Sequence, residues 1–427
     1  MKKNRSLSHR AYTATRLFLR KRNGPKTKKE AHPVHKLRVA FIHSDRKIAT
    51  GAHQINQLMG SALAERGVRI RYFYPRQALT DTPVHLKGIA NILFFHSLLE
   101  HKAEILKHHI IQGTTYTPLP FLSFDVPVVC HFGSTIRGYL NSVPFTQDLL
   151  KEEQKVFQEL YRLGIIPELD LETFRPMEDV ADIEALSAER ATRCIATSKK
   201  VEEELIESGT PPEKICVIHN AIENYWFETS PPPEPQKPHL VFLGRLGNDV
   251  FTLKLKGLSR LVNFYRAFPD IPKTTVCMTT NRKLKDWLRV AFPQHYMFVN
   301  LRKDLIPGAL APLFGSIVFL PSRYEGFSLS LIEGMSQGLV PIAYPVGVVP
   351  EIIQDGVNGF IIHTHEEAVA RARELLLDED KRLTMANAAK KSVEIFRSDR
   401  IADQLLSLYI EIRKQRNLGT QETEKST

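Results

Sequence analysis

The sequence predicts two doubly wound α/β domains, each built on a parallel sheet and facing a common cleft. Three observations carry this reading: strand and helix patterns alternate from Leu37 onward, one proline-rich stretch interrupts them, and the same alternation then restarts. The first strand is 37–43, LRVAFIH. A loop reaching Gly51 leads into a helix with Ile55, Leu58, Met59 and Ala62 at i, i+3, i+4 and i+7, which Gly67 stops. Further strands are read at 68–74, 91–95, 126–131, 193–197 and 215–219, with helical patterns between them.

Residues 230–238, SPPPEPQKP, hold five prolines and can sustain neither helix nor sheet, so they mark the boundary. Beyond it come a strand at 239–243, a helix at 258–268, a strand at 274–278, a helix at 282–292 and a strand at 317–320. The domains are thus 37–229 and 239–395, followed by an amphipathic helix within 396–416 and a disordered tail at 417–427. Ligands of such sheets bind outside the carboxyl ends of the strands, which places the chemistry in the cleft.

Composition narrows the class. Apolar residues at 43% and charged residues at 25% are those of an ordinary globular protein. The four cysteines (Cys130, Cys194, Cys216 and Cys277) form no C-x-x-C pair, which fits free thiols in a reducing compartment and argues against a structural zinc site. No apolar run is long enough to span a bilayer and no secretory h-region is recognised, so a cytoplasmic protein is expected. The net charge of +11 is concentrated: residues 1–38 hold 13 Lys or Arg and one acid, which is +12 there and −1 in the rest. A nucleic-acid-binding body would carry its charge on the folded domains, so no nucleic-acid partner is expected.

The most informative segment is 319–360, FLPSRYEGFSLSLIEGMSQGLVPIAYPVGVVPEIIQDGVNGF. A strand ends at Leu320, and Glu325-Gly326-Phe327-Ser328 leads into a helix containing Glu333. The backbone N–H groups of Phe327, Ser328 and Leu329 would then stand at a helix N-terminus, where free donors and the helix dipole suit a phosphate. Gly326 would let an anion approach the backbone. Glu333, about six residues into the helix and roughly 9 Å along its axis, is placed to accept from the ribose hydroxyls of a nucleotide.

With the Glu325-x7-Glu333 spacing and the continuation Gly347-Val348-Val349-Pro350-Glu351-Ile352-Ile353, Asp355-Gly356-Val357-Asn358-Gly359, this segment resembles the signature of retaining GT-B glycosyltransferases of family 4. The resemblance is clear over 190–363, faint over 37–140 and absent from 1–36. It implies a GT-B fold of two Rossmann-like domains, an acceptor-side one first and a donor-binding one second. The implied activity is retaining transfer of a sugar from a nucleotide-sugar donor to a hydroxyl of a glycan or lipid-linked acceptor. Rival readings within the fold are a sugar-nucleotide epimerase and a catalytically silent nucleotide-sugar-binding protein. Arg245, after the strand Phe242-Leu243-Gly244, and Lys256, before Gly257, correspond to cations that hold the donor diphosphate. Departure of a nucleoside diphosphate develops negative charge that needs a metal or fixed cations. With no D-x-D motif in a convincing loop, no metal and no other cofactor are expected, and the nucleotide-sugar enters as a substrate. The spacing from Arg245 to Lys256 is longer than the family's usual form, so Lys254 competes for the role.

The same resemblance implies a nucleotide-facing glycine at Gly51, in Thr50-Gly51-Ala52, and a sugar-side histidine at His131, at the carboxyl end of the strand Val126-Pro127-Val128-Val129-Cys130. Arg137 could reach an acceptor anion or cap the next helix, and Asn220 would fix the inter-domain turn. The catalytic set is then His131, Glu325, Arg245 and Lys256. The donor-binding set is Gly51, Arg245, Lys256, Gly326, Phe327, Ser328, Leu329 and Glu333. Residues 1–36 carry an apolar stripe of Leu7, Ala11, Ala14 and Phe18 opposite Arg5, Arg10, Arg16, Arg20 and Arg22. This reads as a basic amphipathic helix lying on anionic lipid at the inner membrane face, with a flexible solvated tail and a targeting peptide as alternatives.

Overall fold

The structure is a computed structural model that describes residues 37–43, 51–76, 87–230 and 236–425, all within the unit Lys36–Thr427. The basic segment 1–36 and the stretch containing Thr50 therefore lie outside the described residues. The first domain runs β1 (Arg38–Ile42), α1 (Gly51–Glu65), β2 (Arg69–Phe73), α2 (Lys87–His96), β3 (Ile110–Thr114), β4 (Val128–Phe132), α3 (Ile136–Ser142), α4 (Lys151–Arg162), α5 (Arg175–Arg190), β5 (Arg193–Ala196), α6 (Lys199–Glu207) and β6 (Ile215–Val217). The second runs β7 (Leu240–Arg245), α7 (Val250–Leu255), α8 (Leu258–Arg266), β8 (Lys273–Met278), α9 (Arg282–Ala291), β9 (His295–Val299), β10 (Ile317–Leu320), α10 (Leu329–Ser336), β11 (Val340–Ala343), β12 (Phe360–Ile361), α11 (His365–Leu377) and α12 (Glu379–Ser392). A final helix, α13, spans Ser398–Lys425.

Both sheets are six-stranded and parallel, in the orders β2-β1-β3-β4-β5-β6 and β12-β11-β10-β7-β8-β9. Each has the doubly wound form, with a switch point between β1 and β3 in one and between β7 and β10 in the other. Strands buried on both faces read as continuous apolar runs, and VAFI in β1 and IVFL in β10 are fully buried. Polar caps start the helices: Thr135 Oγ1 accepts from Gly138 N in α3 and Ser198 Oγ from Val201 N in α6, while Thr364 and Glu367 form a capping box on α11.

Residues 91–95 are helical, within α2, and not the strand expected of them. The short run ILFF carries no period of its own, and Leu93 is 64% exposed while Phe95 is buried, as one face of a helix allows. The strand that lies between β1 and β4 is instead β3, IIQGT, whose polar half hid it. The chain also stays helical to Lys425, through the tail expected to be disordered from residue 417. Extending an existing helix fixes one residue per hydrogen bond, so a polar stretch can propagate what it could not nucleate.

The sheets divide at the proline-rich stretch, but two helices do not follow that division. Val156, Phe157 and Leu160 of α4, with Leu149 and Ile166 beside it, belong to the core of the second domain together with Leu258, Leu261 and Phe264. Trp287 Nε1 donates to Glu159 Oε1 at 2.9 Å on the same contact. In the other direction α13 returns to the first domain, where the Tyr409 hydroxyl donates to Gln112 Oε1 at 2.5 Å and Arg416 pairs with Asp125. Among the described residues no helix is long and apolar enough to cross a membrane.

Candidate active site

The switch point of the second sheet brings three segments together: the end of β7 with Arg245, the α7–α8 connection with Lys256, and the loop from β10 into α10 with Glu325. Lys256 Nζ donates to Glu325 Oε1 at 2.7 Å, and Ser322 Oγ donates to the same oxygen at 2.7 Å. Burial works against the Lys256 ammonium, but the Glu325 carboxylate prevails and holds it above its usual range. Arg245 is exposed at the end of β7, close enough for its charge to oppose that of Lys256. Gly257 has φ of 66°, and a side chain there would meet the Pro321 carbonyl at 2.0 Å, so only glycine allows the turn that seats Lys256 beside β10.

Lys254 points elsewhere. It is buried, forms an ion pair with Asp170 and donates to the Pro144 carbonyl at 3.1 Å. Of the two lysines, Lys256 is the one that faces Glu325.

The helix α10 begins at Leu329, two residues later than the sequence suggests, because Ser328 lies in the left-handed region with φ of 81°. The N–H groups of Phe327, Ser328 and Leu329 donate to no group among the described residues, although only Leu329 belongs to the helix. Glu333 is therefore four residues into the helix, about 6 Å along its axis. A side chain at Gly326 would meet the Gly133 carbonyl at 1.9 Å. The constraint on this glycine is the loop after β4, which packs on it.

Glu333 is buried, with its carboxylate 3.3 Å from Lys303 Nζ, and Lys303 also pairs with Glu223 at 2.9 Å. Burial pushes the Glu333 carboxyl up and the Lys303 ammonium pulls it back, while the two carboxylates together hold Lys303 above its usual range against desolvation. Trp226 Nε1 donates to Glu223 Oε2 at 3.1 Å and fixes the far side of this group. Lys303 and Glu223 were not singled out from the sequence; they lie 80 residues apart, and no local spacing joins them.

On the opposite wall, His131 is the penultimate residue of β4, in register with Thr114 and Ile195. It is 8% exposed, and burial lowers its pKa to about 4, so the ring is neutral at pH 7. The loop that follows is tied to the second domain, Thr135 N donating to the Tyr324 hydroxyl at 3.0 Å, and so is the turn between β5 and α6, where Ser198 Oγ donates to the Gly326 carbonyl at 2.6 Å. Tyr139, 5.0 Å from Tyr324 between ring centres, lies within electrostatic reach of Lys256 and Glu325. Glu351 bridges the walls again, accepting from Lys199 N at 2.8 Å and lying 3.0 Å from His219 Nε2. Arg137 pairs with the exposed Asp182, so its charge is engaged at the surface. Gly51 opens α1, and the loop before it lies outside the described residues.

Residues 306–392 match the family described as "Glycosyl transferases group 1". Alpha-maltose-1-phosphate synthase of Mycolicibacterium smegmatis is 22% identical over 268 residues, 53% of this chain and 65% of that protein. The matched stretches thus span less than two thirds of the first curated relatives, falling to 31% and 29% for two others. Among solved structures, sucrose-phosphate synthase from Thermosynechococcus elongatus superposes with a TM-score of 0.67 at 16% identity, covering 88% of this chain and 99% of that one. Anabaena HepE in complex with UDP and glucose gives 0.58 at 16% identity, covering 87% and 99%. The chain has the GT-B fold, and its segment 306–392 is similar to the group 1 glycosyl transferases.

Proposed function

We propose that this protein is a glycosyltransferase that moves a sugar from a nucleotide-sugar donor to a hydroxyl of a glycan or lipid-linked acceptor, with retention and without a metal ion. The observation that carries the reading is the Lys256–Glu325 pair at the switch point of the second sheet, between the free N–H groups of Phe327 to Leu329 and exposed Arg245. In this reading Arg245 and Lys256 take up the charge that develops on the departing diphosphate, and the N–H groups hold its oxygens. Glu333, kept in place by Lys303, accepts from the ribose. Glu325 accepts from the sugar once the diphosphate draws Lys256 away. Neutral His131 offers a hydrogen bond to the sugar from the other wall, and the glycine at Gly51 lets the donor approach. The HepE complex with UDP and glucose supports a uridine donor as the first to try. Residues 1–36 hold the protein on anionic lipid at the cytoplasmic face.

The test is a thermal-shift panel of nucleoside diphosphates and their sugars, followed by proton NMR of the product's anomeric linkage. A ligand at 100 times its Kd stabilises the fold by about 2.7 kcal/mol. A panel in which none stabilises the chain, or a product with inverted configuration, would overturn the reading.

A further inference from the structure

On the face of the first sheet covered by α1 and α13, a small cavity is lined by Asn56 of α1, Gln112 of β3, His131 of β4 and Asn220 after β6, with Ile401 and Leu405 of α13 closing it. Asn56, His131 and Asn220 are 2%, 8% and 6% exposed. Among the described residues, Asn56 Nδ2, His131 Nδ1 and Asn220 Oδ1 are buried with no hydrogen-bond partner. The other polar groups of the cavity are engaged: Gln112 Oε1 accepts from Tyr409 and His219 pairs with Glu351. One buried polar atom left unsatisfied costs about 1–3 kcal/mol, so three around one cavity call for a common partner. The cavity holds about 10 Å³, the room one water molecule takes. Such a water makes two to four hydrogen bonds.

We propose that one ordered water molecule occupies this cavity and that Asn56 and Asn220, acting through it, are positioning residues that hold His131 in the tautomer protonated on Nε2. Buried donors without an acceptor are rarer than spare lone pairs, so the water uses both hydrogens, and that sets the tautomer. Asn56 Nδ2 donates to the water oxygen, one water hydrogen goes to Asn220 Oδ1, and the other goes to His131 Nδ1. Nδ1 must then carry a lone pair, and the ring proton sits on Nε2, where it can be donated. The role of that donor rests on the glycosyltransferase reading; the water and the tautomer do not.

The experiment has two arms on the full chain. A crystal structure that resolves ordered waters should show one density peak within hydrogen-bonding distance of all three atoms; a cavity closed by direct contact between the side chains would overturn the proposal. In the ¹⁵N-histidine-labelled protein, the resonances lost in His131→Gln identify this ring, and its Nδ1 should be of the unprotonated type. Asn56→Asp replaces the water's donor by a second acceptor, which takes up the hydrogen given to the ring, so it should shift that resonance towards the protonated type; Asn220→Asp, which keeps the acceptor, should leave it in place. A protonated Nδ1 in the native chain, or no shift in Asn56→Asp, would overturn the proposal. Should Asn56→Asp not fold, the native chain and Asn220→Asp still decide the matter. Neither arm measures sugar transfer, so a failed donor panel leaves both readouts standing.

Discussion

The hydroxyl of Tyr324, on the loop that carries Glu325, lies 2.6 Å from Glu204 Oε2 on α6 of the opposite domain. Thr135 Oγ1 donates to the same carboxylate oxygen at 2.6 Å, so the residue next to Glu325 is anchored across the cleft. Tyr324→Phe should keep the ring packing and remove two hydrogen bonds, the one to Glu204 and the one that Thr135 N donates to the hydroxyl. Net loss of one hydrogen bond to a charged group is worth about 1.5–3 kcal/mol. The expected outcome is a melting midpoint lowered by a few degrees in the unliganded protein, read by calorimetry. An unchanged midpoint would mean that the anchor contributes nothing to holding the domains together.

The two lysines of the α7 region should separate catalysis from stability. Lys256→Ala removes the cation paired with Glu325 and should lower turnover at least about tenfold with the fold intact. Lys254→Ala breaks the ion pair with Asp170, which is 31% exposed, and should cost about 1–3 kcal/mol of stability with a smaller effect on turnover. Steady-state kinetics and urea unfolding on both variants check this; the opposite pattern would reassign the role to Lys254.

Glu184 gives a pH dependence with a definite sign. It is buried on α5 and accepts from Ile136 N at 2.7 Å, and burial pushes its carboxyl up to about 8. The folded state therefore holds a proton between pH 4.5 and 8 that the unfolded chain releases, so this group's contribution falls as pH rises through that window. Glu184→Gln keeps the acceptor and removes the titration. Its stability relative to the native protein, by urea unfolding, should rise from pH 5 to pH 8 by more than about 1 kcal/mol. A difference that stays flat with pH would show that Glu184 is ionised in the fold.

The proposed mechanism uses fixed cations in place of a metal, so it predicts that transfer survives chelation. Activity with a nucleotide-sugar found by the donor panel should be unchanged in excess EDTA. Loss of activity that manganese or magnesium restores would refute the cation-only mechanism.

The basic segment should separate attachment from catalysis. Removing residues 1–36 should abolish sedimentation with anionic phosphatidylserine vesicles and leave transfer to a soluble acceptor intact. In the full chain, binding should weaken as salt rises past about 0.15 M, where the Debye length is about 8 Å. Vesicle binding that ignores truncation would put the contact on the folded domains.

What could be read without coordinates follows from how the chain distributes its information. The stretch from Phe319 to Phe360 carries strand, turn, helix and both glutamates in one contiguous segment, so spacing alone fixed their relation. The boundary at 230–238 was legible because proline acts locally. The group Lys303–Glu223–Glu333 was not, since its members come from three separate segments and each alone is an ordinary charged residue. The apolar spacing of Val156, Phe157 and Leu160 likewise shows that α4 has a buried face, but not which domain's core receives it.

The exchange of helices has a consequence for dissecting the protein. A fragment ending at the linker would expose the face of α4 that fills the second domain and would lack α13, and the complementary fragment would have an open slot in its core. Neither half holds the whole of its own core, yet each carries the piece the other lacks. Expressed as separate chains, they are suited to reassemble on one another, with α4 and α13 serving as reciprocal plugs.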